Sequence, residues 1–592
     1  MTVGWWARAR TVFLLCYRAA PARSTALIAC QVAANLAILA STYSVKLVTD
    51  AALHGDRAQV TVAAAAMAGT ALLAVLFGRG YLLLTTAVSE RAGRYVDSEL
   101  MRLAGSVPTI EHYERPHYAD QLTLIRQERT ALAGMLNATV LNLRVAISLI
   151  GAVAILAVVN PILLALPVLG VPALLANQRA AAVAAKARQA GAPMTRLRNH
   201  LYTVASAPAS GPEIRVFGLV DELLARHEQV TDELEHQATR AALQGFARTT
   251  AASLIFAAGY AGALLVVLVA AIHGQVTAGT LVLTITLAAL LNSQLATAAQ
   301  YTSYFQRVLS AAGRLIWLTD HTRPTADTFT TPPSRLRTGI DLDHVAFSYP
   351  ETDREALTDI TAHIPAGSVV AVVGENGSGK TTLVKLLSAL YQPTSGTIRA
   401  DDVDLTTIDP TQWQRRISPA FQDFVRFEFT LGESVGLGDL PRATNEAAIT
   451  TALTRAGAAD LIDIVPNGLT GQLGTAWGGT DLSGGQWQKL ALGRALMREQ
   501  PLLRVFDEPT ASLDAVTEQA LFQRIATATR ELPESIRPTT ILVSHRFATA
   551  TMADEILVLD AGTIIERGNH KTLVTAGGRY AELFDLQTQA YR

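Results

Sequence analysis

Residues Gly374-Glu375-Asn376-Gly377-Ser378-Gly379-Lys380-Thr381 have the types and spacing to hold a chain of phosphates. Glycine lets the backbone curl until several N–H groups point inward, and a helix beginning at the loop adds the partial positive charge of its first turn. Lys380 is placed to reach the outer phosphates, the Thr381 hydroxyl to hold Mg²⁺, and Thr382 completes the contact set. Further along, the apolar run Leu502–Phe506, broken by Arg504, ends in Asp507 and Glu508. Beside a phosphate cradle the first carboxylate is suited to hold Mg²⁺ through water, and the second to polarise a water aimed at the terminal phosphate. No partner for Arg504 is readable at this level.

These groups need rigid supports. Val369–Val373 ahead of the loop reads as a buried strand, and Thr382–Leu387 after it as a helix. Strand and helix patterns alternate over 339–592, as in an α/β domain. The Pro/Thr-rich stretch 320–338 lacks apolar periodicity and reads as a linker. Of the 592 residues, half are hydrophobic and 17% charged, and the mean hydropathy is +0.26, values that suit a membrane protein. Lys plus Arg (49) and Asp plus Glu (50) nearly cancel, so charge argues for no nucleic-acid partner. Cys16 and Cys30 have no metal-ligand spacing, and both are expected as thiols.

The preceding residues supply the membrane part. Residues 1–23 carry Trp5 and Trp6 among Arg8, Arg10 and Arg18 and read as an interfacial helix. Within 24–319 six apolar spans follow: Thr25–Val48, Val60–Leu84, Asn137–Val159, Ile162–Ala176, Ala251–Ile272 and Ala278–Ala299. Arginines concentrate in the two long loops, at 90–129 and 179–248, which places those loops and both termini in the cytoplasm. Helical spacing in the long loops predicts that the second to fifth spans continue below the bilayer as rods. Arg79 is read as the single charge inside an apolar run, near enough to the inner interface for its guanidinium to reach water.

Leu482-Ser483-Gly484-Gly485-Gln486, lying between the cradle and the acidic strand, resembles the signature of ATP-binding cassette (ABC) proteins. With the six spans ahead of it, the chain resembles an exporter-type ABC half-transporter of the type IV fold: an α-helical membrane domain followed by an α/β P-loop ATPase domain. That resemblance implies ATP and Mg²⁺ as cofactors. It makes Tyr349 the aromatic that stacks on adenine, and Gln422 a glutamine that senses Mg²⁺ together with Thr381 and Asp507. Glu508 and His545 become the hydrolytic pair, and Asp514 a contact between cassettes. It also implies that Leu482, Ser483, Gly484, Gly485 and Gln486 close over ATP held by a second chain.

Glu111–Tyr118 resembles a first coupling helix, and Glu213–Gly218 a segment of the second long loop. Phe421–Phe424 and Gly478–Gln488 look like bacterial peptide exporters of the lantibiotic type. One departure is that Gly471–Thr475 offers no glutamate where many exporters have an acidic loop. The expected protein is thus a dimeric, ATP-hydrolysing exporter of a bacterial inner membrane. A homodimer is expected ahead of a heterodimer, and a peptide or other amphipathic molecule as cargo. An importer of the same fold and an ATP-gated regulator are the competing readings.

Overall fold

The computed structural model describes residues 5–115, 118, 121, 124–126, 128–159, 165–321, 329–350, 352, 354–508 and 515–590. The chain divides into two compact units, Met1–Ala104 with Gln121–His321, and Gly105–Asp120 with Thr322–Arg592.

The first unit is helical. Trp5–Ala19 precedes six long helices: Pro21–His54, Arg57–Ser106, Met135–Val159, Ala165–Ala190, Val220–Ile272 and Ala278–His321. Among the described residues, Pro21–His54, Arg57–Ser106, Met135–Val158 and Val220–Ile272 are each long and apolar enough to cross a membrane. The fourth expected span falls on Ala165–Ala190, and residues 160–164 ahead of it lie outside the described set. The sixth falls on Ala278–His321. At ~1.5 Å per residue, the 50 residues of Arg57–Ser106 and 53 of Val220–Ile272 give rods of about 75–80 Å, more than twice the ~30 Å hydrocarbon layer. The turn between the first two long helices is made at Gly55, φ +72°, where an L side chain would be strained.

Ala152, Leu156, Val267, Leu283 and Leu287, from three helices, form one buried cluster. Polar groups are interleaved with such packing. The Tyr81 hydroxyl donates to Asn137 Oδ1 at 2.5 Å, Asn142 Nδ2 to Tyr301 O at 3.3 Å, and Asn35 Nδ2 to Arg144 O at 3.4 Å. Arg79 is therefore not the single charge in an apolar run: Arg144 stands inside the third span. Its Nε is buried without a hydrogen-bond partner among the described residues, as is Gln294 Oε1.

Among the described residues the second unit holds two sheets. A four-stranded sheet has the order β2-β1-β4-β5, with β1 Gly339–Ser348, β2 Glu355–Pro365, β4 Ser395–Ala400 and β5 Val403–Asp404. A six-stranded sheet has the order β10-β9-β3-β8-β7-β6, with β3 Val369–Val373, β6 Ile417–Ala420, β7 Leu503–Asp507, β8 Thr539–Ser544, β9 Glu555–Asp560 and β10 Thr563–Gly568. All five residues of β3 are buried. Val369, Ala371 and Val373 face one apolar core and Val370 and Val372 the other. A strand covered on both faces shows a continuous apolar run with no alternation, and each buried valine contributes about 1.5–3 kcal/mol. The parallel register pairs Val373 with Ser544 and Asp507 with Val543. Three chain segments therefore leave the sheet at one edge, beyond the carboxyl ends of β3, β8 and β7, where open α/β sheets take ligands.

Candidate active site

The loop after β3 requires glycine at two tight points. Gly374 has φ +155° and a Cβ there would collide with Leu559 O, while Gly379 has φ +101° and a Cβ would lie 2.6 Å from Leu357 Cδ2. The helix Lys380–Leu387 starts directly after. Lys380 is 6% exposed, and its ammonium donates to Gly374 O at 3.0 Å and Glu375 O at 2.8 Å. Burial lowers its pKa, and the charges of Glu508 and Asp507 oppose that shift. The loop thus holds its own cation on backbone carbonyls.

Thr381 Oγ1 donates to Asp507 Oδ1 at 3.4 Å. Asp507 is 1% exposed, and its Oδ2 is buried with no hydrogen-bond partner among the described residues. Burial pushes this carboxyl up to about 6, against the hydrogen bond from Thr381. A hydroxyl and an orphaned carboxylate oxygen are hard donors that fit Mg²⁺. Among the described residues no cluster of three His, Cys, Asp or Glu side chains offers a cation site, so an ion held here would share its coordination between these two groups, water and ligand oxygens.

Glu508 follows at φ +45°, an uncommon backbone state for a residue with a Cβ. It is held there by its N–H to Val543 O at 3.1 Å and by Gln488 Nε2 donating to its carbonyl at 3.5 Å. The side chain meets His545, Nδ1 to Oε2 3.4 Å. That hydrogen bond holds the Glu508 carboxyl below its ordinary range and raises the His545 imidazole above its own. The Gly374–Thr382 loop, Asp507, Glu508 and His545 are therefore brought together.

Tyr349 lies beside the same helix. Its hydroxyl shares a 2.9 Å hydrogen bond with Thr382 Oγ1, its ring meets Tyr391 edge-on at 5.6 Å, and Lys385 Nζ lies 5.3 Å from its centroid. Gln422 is exposed, two residues past the end of β6 and so at the same sheet edge. Asp514 lies outside the described residues. The signature is elsewhere engaged: Ser483 caps the helix Gly484–Leu496, its Oγ accepting from Gln486 N at 3.3 Å and its N–H donating to Gln486 Oε1 at 2.8 Å. No hydrogen bond or ion pair among the described residues joins Leu482–Gln486 to Gly374–Thr382.

Several contacts had no legible signal. Arg504 Nη1 donates to Thr529 Oγ1 at 3.2 Å. Arg546, next to the histidine, pairs with buried Glu518 at 2.6 Å. Residues 108–114 sit on the cassette: Ile110 N donates to Leu390 O at 3.0 Å, Gln414 Nε2 to Pro108 O at 2.7 Å, and Lys385 pairs with Glu114 at 3.7 Å. The glutamate missing from Gly471–Thr475 has a neighbour in Glu428, whose Oε2 accepts from Trp477 Nε1 at 3.0 Å and whose carbonyl accepts from Gln472 Nε2 at 2.7 Å.

Residues 357–511 match the family described as ABC transporter. The chain is 34% identical over 387 residues to an ATP-dependent lipid A-core flippase of Chromohalobacter salexigens, covering 65% of each chain. It is 32% identical over 375 residues to the one of Nitrosococcus oceani, covering 63% of this chain and 61% of that one. The matches thus span less than two thirds of the length of these curated relatives. Both are named for a lipid rather than a peptide cargo. The solved structure of a bacterial Atm1-family ABC exporter with ATP bound superposes with TM-score 0.79 at 25% identity, over 96% of this chain and 98% of that one. A helical membrane unit followed by a cassette with its glycine loop and acidic strand at one sheet edge gives the chain the fold of that exporter, with an ABC transporter domain over residues 357–511.

Proposed function

We propose that two copies of this chain form an ATP-driven exporter in a bacterial inner membrane, with both cassettes in the cytoplasm. The observation that carries the reading is the site itself. Lys380, Asp507, Glu508 and His545 converge on one phosphate loop, while Ser483–Gln486 makes no bond to that loop and is left to close a second chain's site. Both halves of such a composite site are intact in this sequence, which favours a homodimer. Lys380 and the loop amides would hold the phosphates, and Thr381 and Asp507, joined by Gln422, would hold Mg²⁺, which when bound neutralises phosphate charge. Glu508 would orient the attacking water and His545 would contact the terminal phosphate, with Tyr349 against the adenine. ATP shifts the conformational balance only through tighter binding to the closed dimer. The coupling segment 108–114 would carry that closure toward the membrane helices.

For cargo we propose an amphipathic, lipid-linked molecule with an acidic head group. Support comes from Arg144, an intramembrane cation whose Nε lacks a partner among the described residues, from Gln294 with its unpartnered Oε1, and from the lipid cargo for which the relatives are named. A charge inside the membrane is costly and marks a functional position.

The test is the ATPase rate of the full chain in lipid nanodiscs, measured against Glu508→Gln with acidic glycolipids, peptides and neutral drugs. The reading expects Glu508→Gln to bind ATP yet lose about 10²–10⁴ in turnover, and acidic lipids alone to stimulate the wild type. Stimulation by peptides only would replace the cargo, uptake into right-side-out vesicles would reverse the direction, and a folded but inactive wild type would require a different partner chain.

A further inference from the structure

The C-terminal helix Arg579–Ala590 touches both ends of the ATP site, an arrangement that no motif announces. Tyr580 is fully buried, packs edge-on against Phe547 at 5.4 Å and meets His570 Nδ1 through its hydroxyl at 2.9 Å. The first turn of the helix is thereby anchored in the core. From that turn Arg579 pairs with Glu375 of the phosphate loop at 2.6 Å. About two turns later, Gln587 grips the backbone that follows β8. Its Nε2 donates to His545 O at 2.6 Å and its Oε1 accepts from Phe547 N at 2.9 Å.

The chemistry of this grip is specific. The peptide groups on either side of Arg546 present one acceptor and one donor, and a primary amide offers the matching donor and acceptor on one side chain. Ser544 Oγ adds a bond from Arg546 N at 2.9 Å, and the Arg546–Glu518 pair holds the intervening side chain. The backbone carrying His545 is thus fixed from three directions. Gln587 does so from an element outside the sheet and the helices that leave its carboxyl edge.

We propose that Gln587 is a positioning residue for the switch histidine. It fixes the peptide of His545 so that the imidazole stays within reach of Glu508 and of the terminal phosphate, which makes docking of the C-terminal helix a condition of hydrolysis. This rests on the reading of His545 given above. Because the amide acts on backbone and meets no nucleotide-binding side chain, its loss should leave ATP binding in place and change turnover.

The experiment compares the full chain in nanodiscs as wild type, Glu508→Gln, Gln587→Ala and Gln587→Glu, with kcat and KM for ATP measured from pH 8 downward. Gln587→Ala should lower kcat by about tenfold, equivalent to about 1.4 kcal/mol of barrier, with KM for ATP unchanged within about twofold. Gln587→Glu should match that loss at pH 8, where two acceptors face each other across the His545 carbonyl. Its activity relative to wild type should then recover several-fold toward about pH 4.5, as the introduced carboxyl takes up a proton and becomes a donor. The other charged groups around this turn, His545, Glu508, Glu518 and Arg546, are common to both chains and cancel in the ratio. An unchanged kcat in Gln587→Ala, or a raised KM alone, overturns the proposal while leaving the exporter reading intact. If Gln587→Ala fails to fold, a flat pH ratio for Gln587→Glu overturns it equally. A wild type without ATPase activity sensitive to Glu508→Gln would instead remove the reading on which the proposal stands.

Discussion

Replacing Asp507 by asparagine should make the metal-free protein more stable while ending its hydrolysis. The carboxyl is 1% exposed, and burial raises it from its ordinary 3.8 to about 6. At 1.36 kcal/mol per unit, the shift of about two units corresponds to about 3 kcal/mol of strain in the ionised folded state. A folded-state pKa above the unfolded one gives stability that is fully present below about pH 4 and is lost as pH rises through about 6. At pH 7.5 the wild type therefore carries the whole cost, and the neutral amide of the same shape removes it. Thermal unfolding of the full chain in nanodiscs with chelator should show Asp507→Asn unfolding up to about 6–12 °C higher at pH 7.5, taking about 2–4 °C per kcal/mol for a domain of this size. The gap should shrink toward zero as pH falls to about 4. Adding Mg²⁺ and ATP should raise the wild type and leave the variant nearly unmoved, since binding to the folded state alone is what stabilises. A variant less stable than wild type at pH 7.5, or a gap that does not close in acid, would refute the assignment of Asp507 as a buried carboxylate waiting for a cation.

Arg504→Met should also stabilise, by about 1–3 kcal/mol. Burial, with the charge of Arg455 adding to it, pushes that guanidinium down to about 10, and its hydrogen-bond partner Thr529 keeps its own bond to Ile525 O at 2.8 Å. Denaturation of the chain at equal ATPase activity checks this, and a loss of stability would contradict it. Glu518→Ala removes a partner of Arg546 and of Thr549 Oγ1, 3.1 Å away; taking the carboxylate from beside a mostly buried cation should cost about 3 kcal/mol, read as a lower apparent Tm. The His545–Glu508 contact has a pH window. The raised histidine contributes stability that is present below about 6.5 and lost as pH climbs through its folded value. The lowered glutamate contributes stability that is present above about 4.3 and lost in acid. The stability difference between wild type and His545→Ala should therefore be largest at about pH 5–6 and shrink by pH 9; an invariant difference would show that the two side chains do not share a proton-dependent bond.

Much of this protein is written in short-range order. The Gly374–Thr381 loop demands glycine where a Cβ would strike Leu559 or Leu357, and Val369–Val373 is apolar throughout because both of its faces are covered. These requirements act between neighbours in the chain, so sequence alone determined the phosphate cradle, the acidic strand and the membrane character of the first half. The long helices followed from apolar runs, although Arg144, inside the third, escaped notice. The convergence of Lys380, Asp507, Glu508 and His545 was expected from motif order, but only the parallel register of β3, β8 and β7 places them at one edge. Other contacts had no such clue. The pairs Arg504–Thr529, Arg546–Glu518, Glu114–Lys385 and Gln587–His545 join residues from 25 to 271 positions apart. Each member is an ordinary polar residue until folding removes water and leaves one partner within reach. Tertiary structure alone decided them, because the free energy that selects a partner for a buried polar group arises only once the group is buried.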